Sequence, residues 1–142
     1  MNLSPHFTLA EFTHSQTAAR QGVDNTPHDV TLAALRATAA GMEMVRAALG
    51  SRPITISSGY RSPTLNTLVR GSKRSQHILG EACDFTCSAF GTPEDIIRLL
   101  IASTVPYDQL IHEYGSWVHI SFGPRNRREA LVIDHNGARP WE

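Results

Sequence analysis

The stretch of this chain that decides its fold is residues 75–85, which read Ser75-Gln76-His77-Ile78-Leu79-Gly80-Glu81-Ala82-Cys83-Asp84-Phe85. This pattern predicts a loop that carries a histidine and turns through a glycine into a short apolar strand with a carboxylate. A second stretch, Ser116-Trp117-Val118-His119-Ile120-Ser121-Phe122, alternates polar and apolar residues as a strand does. Two histidines and an aspartate therefore lie where they can approach one another.

These three residues suit a zinc ion. Zinc takes imidazole nitrogen and carboxylate oxygen in tetrahedral geometry, and a catalytic site uses three protein ligands so that water occupies the fourth position. Taken singly, each has an ordinary interpretation: His77 as a loop surface residue, Asp84 as a strand-edge carboxylate and His119 as a core histidine whose ring nitrogens are hydrogen-bonded. Asp84 argues against that interpretation, because a carboxylate in an apolar strand is costly to bury unless it is paired or bound to a cation.

Size and charge narrow the function. A chain of 142 residues suits one domain over residues 1–142, with one site. Thirteen basic and thirteen acidic residues cancel, which argues against a nucleic-acid partner. The chain shows neither a signal peptide nor an apolar stretch that could span a bilayer. We therefore expect a monomer that is synthesised in the cytoplasm and does not insert into a membrane.

The two cysteines are expected to be free thiols. Cys83 and Cys87 lie four residues apart within or beside one strand, so a disulfide between them would need a sharp bend. Cys83 alternates with Asp84 and should point into the core. A second metal site on the Cys-x-x-x-Cys pattern is the alternative.

The remaining pattern predicts an α+β fold. Helices are expected from the capping box Thr8-Leu9-Ala10-Glu11, from Asn25-Thr26-Pro27 to Gly50, after Ser62-Pro63 and after Thr92-Pro93. Strands are expected at Ile54–Ser57, around Ala82, and at Tyr107–Glu113, Trp117–Phe122 and Glu129–Asp134. The result is a small, mainly antiparallel sheet with helices packed on one side and the zinc site on the sheet.

Three motifs carry a resemblance to known enzymes. They are Ser-x-His-x-x-Gly-x-Ala-x-Asp at residues 75–84, the preceding Ser58-Gly59-Tyr60-Arg61-Ser62, and the later Trp117-Val118-His119. Together they resemble the zinc D-Ala-D-Ala carboxypeptidases and related peptidoglycan peptidases of the M15 class. The opening, from Phe7–Phe12 through Asn25-Thr26-Pro27, is similar to the single-domain members found in phages and prophages. The resemblance thus covers nearly the whole chain.

The resemblance implies the D-Ala-D-Ala carboxypeptidase (Hedgehog-like) fold, and it implies that His77, Asp84 and His119 hold one Zn²⁺. It also implies hydrolysis of peptide bonds in peptidoglycan stem peptides, as a D,D-carboxypeptidase or an endopeptidase. Missing secretion signals favour a phage-type lysin that reaches the cell wall after the membrane is permeabilised. One alternative is a non-catalytic zinc-binding or wall-binding module on the same scaffold. Another is a phage structural protein with a vestigial site, which would not bind metal stoichiometrically.

Metal-assisted peptide hydrolysis needs a base that takes a proton from water and returns it to the leaving amine. The resembling enzymes carry an acidic residue shortly before the last histidine, which is Glu113 here. A three-residue loop over 114–116 sets Glu113 opposite Trp117, on the face of His119, whereas a two-residue loop puts His112 opposite His119 and turns Glu113 away. We predict the longer loop with Glu113 as base, and His112 is the alternative.

Four further residues are candidates for the site. Arg61 can present its guanidinium to a substrate carboxylate or to the developing oxyanion, a role that the resemblance favours over an ordinary surface ion pair. Ser75 is expected to orient the loop or to contact substrate, unless it only caps a turn. Trp117 is expected to wall the site, where some relatives carry a second histidine. Asp108 is expected to brace Arg61 or another site residue.

Overall fold

The backbone of the computed structural model, which describes all 142 residues, forms five helices and eight strands. The helices are α1 (Leu9–Thr13), α2 (Gln16–Gln21), α3 (Asp29–Ala48), α4 (Pro63–Leu68) and α5 (Pro93–Ala102). The strands are β1 (Asn2–Ser4), β2 (Phe7–Thr8), β3 (Thr55–Ser58), β4 (Ala82–Thr86), β5 (Gln109–Glu113), β6 (Trp117–Ser121), β7 (Glu129–Asp134) and β8 (Gly137–Pro140). None of the helices combines the length and apolar character that a membrane span requires.

Six of the strands form one sheet in the order β3-β4-β6-β5-β7-β8. Every neighbouring pair is antiparallel except β5 and β7, which are parallel. β1 and β2 make a separate two-stranded ribbon. The predicted α+β class with a mainly antiparallel sheet is therefore confirmed.

Strand alternation separates the core from the site. Cys83 and Phe85 on β4 are fully buried in the hydrophobic core, so Asp84 between them faces the opposite side of the sheet. Val118 and Ile120 on β6 repeat this pattern around His119. The buried faces of α3 and α5 contribute to the same core. Because these helices occupy one face, the other face is left for Asp84 and His119.

The predicted helix starts are confirmed where a side chain caps the backbone. Thr8 and Glu11 form a reciprocal capping box at α1, and Thr92 and Asp95 form another at α5. The predicted start of α3 at Asn25-Thr26-Pro27 is wrong, because α3 begins at Asp29. The Asn25 side chain instead bonds to three backbone groups outside α3, which are Thr13 O, Tyr60 O and Ser62 N.

Four short elements escape the sequence pattern, and the first two are the strands β1 and β2. Helix α2 reads Gln-Thr-Ala-Ala-Arg-Gln and has no apolar stripe, although Ser15 caps its start and Gly22 ends it with a φ of 65°. Strand β8 is exposed along its whole length, so it shows no alternation of buried and exposed residues. Both cysteines are free and buried, as expected.

Candidate metal centre

Three side chains from two strands and one loop converge on the open face of the sheet. Asp84 and His119 lie directly opposite each other on β4 and β6, and His77 reaches them from the loop before β4. Oδ1 of Asp84 is 2.9 Å from Nδ1 of His119 and 3.3 Å from Nε2 of His77. One ligand atom from each residue lies within 4.8 Å of the others, so the group can hold one metal ion.

His77 is held in place by the backbone of the preceding motif. Its Nδ1 donates to the carbonyl oxygen of Gly59 at 2.6 Å. Gly59 has no room for a side chain, because a Cβ there would lie 2.5 Å from the carbonyl oxygen of Phe12. Gly80, after the loop, has a φ of 75°, and its carbonyl accepts a hydrogen bond from Thr38 at 2.7 Å. The loop is therefore anchored on both sides of His77.

The donor set fits a cation. The Gly59 carbonyl can only accept, so Nδ1 of His77 carries the proton, and a neutral ring then presents the lone pair of Nε2 to Asp84. Burial lowers the pKa of His77, although the Asp84 carboxylate opposes this, so the neutral ring is favoured. Two acceptor atoms then face each other across 3.3 Å. A metal ion between them removes this conflict.

Asp84 remains ionised despite its position. Its side chain is only 13% exposed, and burial alone would raise its pKa. The imidazoles of His119 and His77 outweigh that effect and hold the pKa of Asp84 well below its ordinary value. The site therefore offers one carboxylate and two imidazoles, a set that zinc accepts.

The hairpin between β5 and β6 has the predicted three-residue loop. Glu113 pairs with Trp117, and Ile111, rather than His112, pairs with His119. Oε1 of Glu113 is 3.8 Å from Nδ1 of His119, and its Oε2 accepts a hydrogen bond from the Trp117 indole at 3.0 Å. Burial raises the pKa of Glu113, although the imidazole of His119 opposes the shift. His112 instead packs its ring against Trp141.

Arg61 follows β3 in the motif and turns towards the same carboxylates. Its Nε is buried without a hydrogen-bond partner. Burial lowers the pKa of Arg61, while the charges of Asp84 and Glu113 oppose that shift. The guanidinium is therefore close enough to both acidic groups for their charges to act on it.

Asp108 does not brace Arg61. Its fully buried carboxylate accepts from Arg127 at 2.8 Å (Nε to Oδ1) and 2.9 Å (Nη2 to Oδ2), and from Gln76 at 3.0 Å. The bidentate contact with Arg127 is stronger than a single bond to a more distant arginine would be. Through Gln76, Asp108 supports the loop that carries His77.

A polar cavity of about 420 Å³ opens over these groups. Ser75 lies on its wall, and its hydroxyl also accepts a hydrogen bond from the backbone of His77 at 3.2 Å, so it holds the loop as well. Trp117 does not line this cavity, contrary to the expectation that it walls the site, and instead donates a hydrogen bond to Glu113.

Several residues of the site escaped the sequence analysis. Arg74, Arg125 and Arg127 add positive charge to the cavity wall. Nothing in their local sequence marks them, since the site brings them together from two separate loops. Gly59 holds His77, and its signal was present as part of the Ser-Gly-Tyr-Arg motif. Asn25, which ties together the loops around Arg61, was interpreted only as a helix start.

Comparison with known proteins agrees with this geometry. A family model described as peptidase M15 matches residues 5–121, a span that includes all three candidate ligands and Glu113. The zinc D-Ala-D-Ala carboxypeptidase of Streptomyces albus G is 38% identical to this chain over 50 residues. That alignment covers 35% of this chain and 20% of the Streptomyces enzyme, so the match spans about a fifth of the relative.

Proposed function

We propose that this chain, which belongs to the peptidase M15 family, is a zinc peptidase that hydrolyses peptide bonds in peptidoglycan stem peptides. The observation that carries the proposal is the convergence of His77, Asp84 and His119 within 4.8 Å, beside the buried carboxylate of Glu113. The similarity to an enzyme named a zinc D-Ala-D-Ala carboxypeptidase supports both the metal and the class of substrate.

In this proposal Nε2 of His77, a carboxylate oxygen of Asp84 and Nδ1 of His119 would hold the metal. Zinc bound there supplies a Lewis acid that polarises a peptide carbonyl and makes water more acidic. The hydrogen bond from Nδ1 of His77 to Gly59 fixes the tautomer that leaves Nε2 free for this role. The arrangement thus uses one nitrogen of each imidazole and one carboxylate.

Glu113 is the proposed proton carrier. Its Oε1 points towards the metal ligands, while Oε2 is held by the Trp117 indole. A carboxylate whose pKa is raised by burial takes a proton more readily, which suits a base that removes a proton from water and passes it to the leaving amine. Glu113 therefore moves the proton at Oε1, and Trp117 keeps it oriented.

Arg61 is the proposed stabiliser of negative charge. Its guanidinium is a donor on the wall of the cavity over the metal centre, and its Nε has no hydrogen-bond partner inside the protein. A donor of this kind, already oriented in a partly buried site, stabilises the charge that develops on the peptide oxygen during attack. Ser75 lines the same wall, and we propose that it contacts the substrate.

The test is incubation of the zinc-loaded protein with purified muropeptides, with and without chelator, followed by mass spectrometry. We expect products that appear only without chelator. Glu113→Ala should retain zinc, and its cleavage rate should fall at least about a hundredfold. The control Glu94→Ala removes an exposed carboxylate of α5 and should retain both zinc and the full cleavage rate. Unchanged cleavage by Glu113→Ala would reject Glu113 as the base. Zinc binding without any cleavage by the wild type would instead support the non-catalytic module.

The biological setting that we propose is a phage-type lysin, which is synthesised in the cytoplasm and reaches the wall once the membrane is permeabilised. It is supported by the similarity of the segment from Phe7 to Pro27 to single-domain members of phages and prophages. Expression in the bacterial cytoplasm should be harmless until a membrane-permeabilising agent is added, after which turbidity should fall. Lysis that does not depend on permeabilisation would contradict this setting.

A further inference from the structure

A second cavity of about 360 Å³ lies beside the candidate metal centre. It is bordered by the start of α2, by the end of β3 and by α4. The cavity over the metal centre is bordered instead by β5, by β6 and by the loops that carry Ser75 and Arg127. We call it the α2 cavity. Arg61 and Asp84 line both cavities, so the two meet at these residues.

This shared border bears on which bond is cut. An enzyme that removes one terminal residue has to stop the substrate on one side of the scissile bond. Here Asp84, the carboxylate that can bind the metal, lines both cavities, so open volume lies on two sides of it. A peptide bond held near Asp84 and Arg61 therefore has room for further residues in both directions.

The lining of the α2 cavity indicates what it would take. Arg20 is exposed at its edge and forms no ion pair with any carboxylate of the chain. Thr17 and Ser58 contribute hydroxyl groups to the wall, while Leu65 and Val69 make an apolar side. An unpaired guanidinium beside hydroxyl groups favours a ligand with a carboxylate, and the apolar side suits a short aliphatic side chain.

We propose that the α2 cavity is a second substrate subsite, which binds a carboxylate-bearing peptide segment and makes this enzyme an endopeptidase. The inference rests on the proposed function and extends it to the position of the bond. In the reaction an internal C–N peptide bond breaks. The oxygen of water joins the acyl carbon to give a carboxylic acid, and the leaving nitrogen takes up a proton to give a free amine.

The first test identifies the products. Zinc-loaded protein is incubated with muropeptides from purified sacculi, and the fragments are identified by mass spectrometry. We expect an internal peptide bond to be cut, so that no product is a single free amino acid. Release of single terminal residues alone would overturn the inference while leaving the zinc peptidase intact. If no muropeptide is cut in the presence of zinc, the proposed function itself fails, so the two failures are distinguishable.

The second test fills or neutralises the α2 cavity. Thr17→Trp should reduce kcat/KM on muropeptides by roughly tenfold or more, because it occupies the proposed subsite. Arg20→Gln should raise KM by about tenfold with little change in kcat, and Arg20→Lys should restore part of the loss.

The matched controls are Thr104→Trp and Arg36→Gln, both exposed and remote from the site. All variants must retain stoichiometric zinc, and Arg20 is exposed enough that its substitution leaves the fold intact. Kinetics of Arg20→Gln equal to those of Arg36→Gln would overturn the subsite.

Discussion

At the scale of single residues, the pKa values of two neighbouring carboxylates, Asp84 and Glu113, shift in opposite directions. The imidazoles around Asp84 hold its pKa below the ordinary value, whereas burial raises the pKa of Glu113. Such divergence separates a group that stays ionised from one that exchanges protons. It supports the proposed roles of Asp84 as a metal ligand and of Glu113 in proton transfer, and both residues lie beside His119.

The hydrogen bond from Trp117 to Glu113 gives the first prediction. Trp117→Phe keeps an aromatic ring and removes the donor to Oε2, so Glu113 loses the group that orients it. We expect kcat on muropeptides to fall by about tenfold, with KM and zinc content unchanged. Trp141→Phe, at the other tryptophan of the chain, is the matched control and should retain full activity. Identical kcat values for the two variants would contradict a positioning role.

The pair formed by the buried Asp108 and the partly exposed Arg127 gives a prediction about acid stability. The hydrogen bonds from Arg127 hold the pKa of Asp108 well below its ordinary value, so the pair stabilises the fold fully above about pH 4. This contribution is lost as the pH falls through the lowered pKa. Asp108→Asn should reduce the free energy of unfolding by about 2 kcal/mol at pH 7, less than for a fully buried pair because Arg127 is 33% exposed.

Urea denaturation at several pH values measures this effect. The difference in the free energy of unfolding between wild type and Asp108→Asn should become smaller as the pH is lowered below about 4. Asp134→Asn, in the more exposed pair with Arg139, is the control and should change stability less at neutral pH. A gap that is independent of pH would show that Asp108 acts through packing rather than through its charge.

At the scale of elements, the hairpin of β5 and β6 decides which side chains face the metal. A shift of one residue in the pairing would turn Glu113 to the opposite face of the sheet. The loop keeps the register through two residues in the left-handed region, Tyr114 with a φ of 54° and Gly115 with a φ of 65°. The conformation of this short loop therefore places the proposed base.

Gly115→Ala tests that dependence. No atom lies within 4 Å of a Cβ built at Gly115, so the substitution causes no clash and its cost is conformational. We expect the free energy of unfolding to fall by roughly 1 kcal/mol, because non-glycine residues disfavour a positive φ. Ser116→Ala, in the same exposed loop, should cost less. Chemical denaturation compares the two, and equal losses would argue against a strained loop.

At the scale of the whole molecule, the metal links segments that are distant in the chain. The three candidate ligands come from the loop before β4, from β4 and from β6, and they meet only in the folded state. A metal that binds the folded state and not the unfolded chain stabilises it by mass action. Zinc should therefore contribute to the stability of the whole domain, and we expect residues 1–142 to unfold as one unit.

Calorimetry with and without zinc measures this link. At free zinc about a thousandfold above its Kd, the free energy of unfolding should rise by about 4 kcal/mol, and Tm by roughly 10 °C. Chelator should reverse the shift. Asp84→Asn should abolish most of it, since it removes the anionic ligand. A wild-type Tm that does not respond to zinc would contradict a metal site formed by folding.

The sequence by itself determined the local structure and the chemical inventory of this protein. Capping boxes placed α1 and α5, because a side chain three residues away satisfies the free backbone groups of a helix end. Alternation placed Asp84 and His119 on one face of their strands, because strand side chains repeat every two residues. These rules act over a few residues, so a short stretch of sequence contains all the information that they need.

Tertiary structure decided the contacts between distant segments. The pairing of Asp108 with Arg127 and the contacts of Asn25 with Tyr60 both join parts of the chain that local patterns treat separately. The same is true of the α2 cavity, which exists only where α2, β3 and α4 meet. The physical reason is that such contacts depend on how several elements pack around one core. A buried group then takes the partner that packing brings within reach, whatever its distance along the chain.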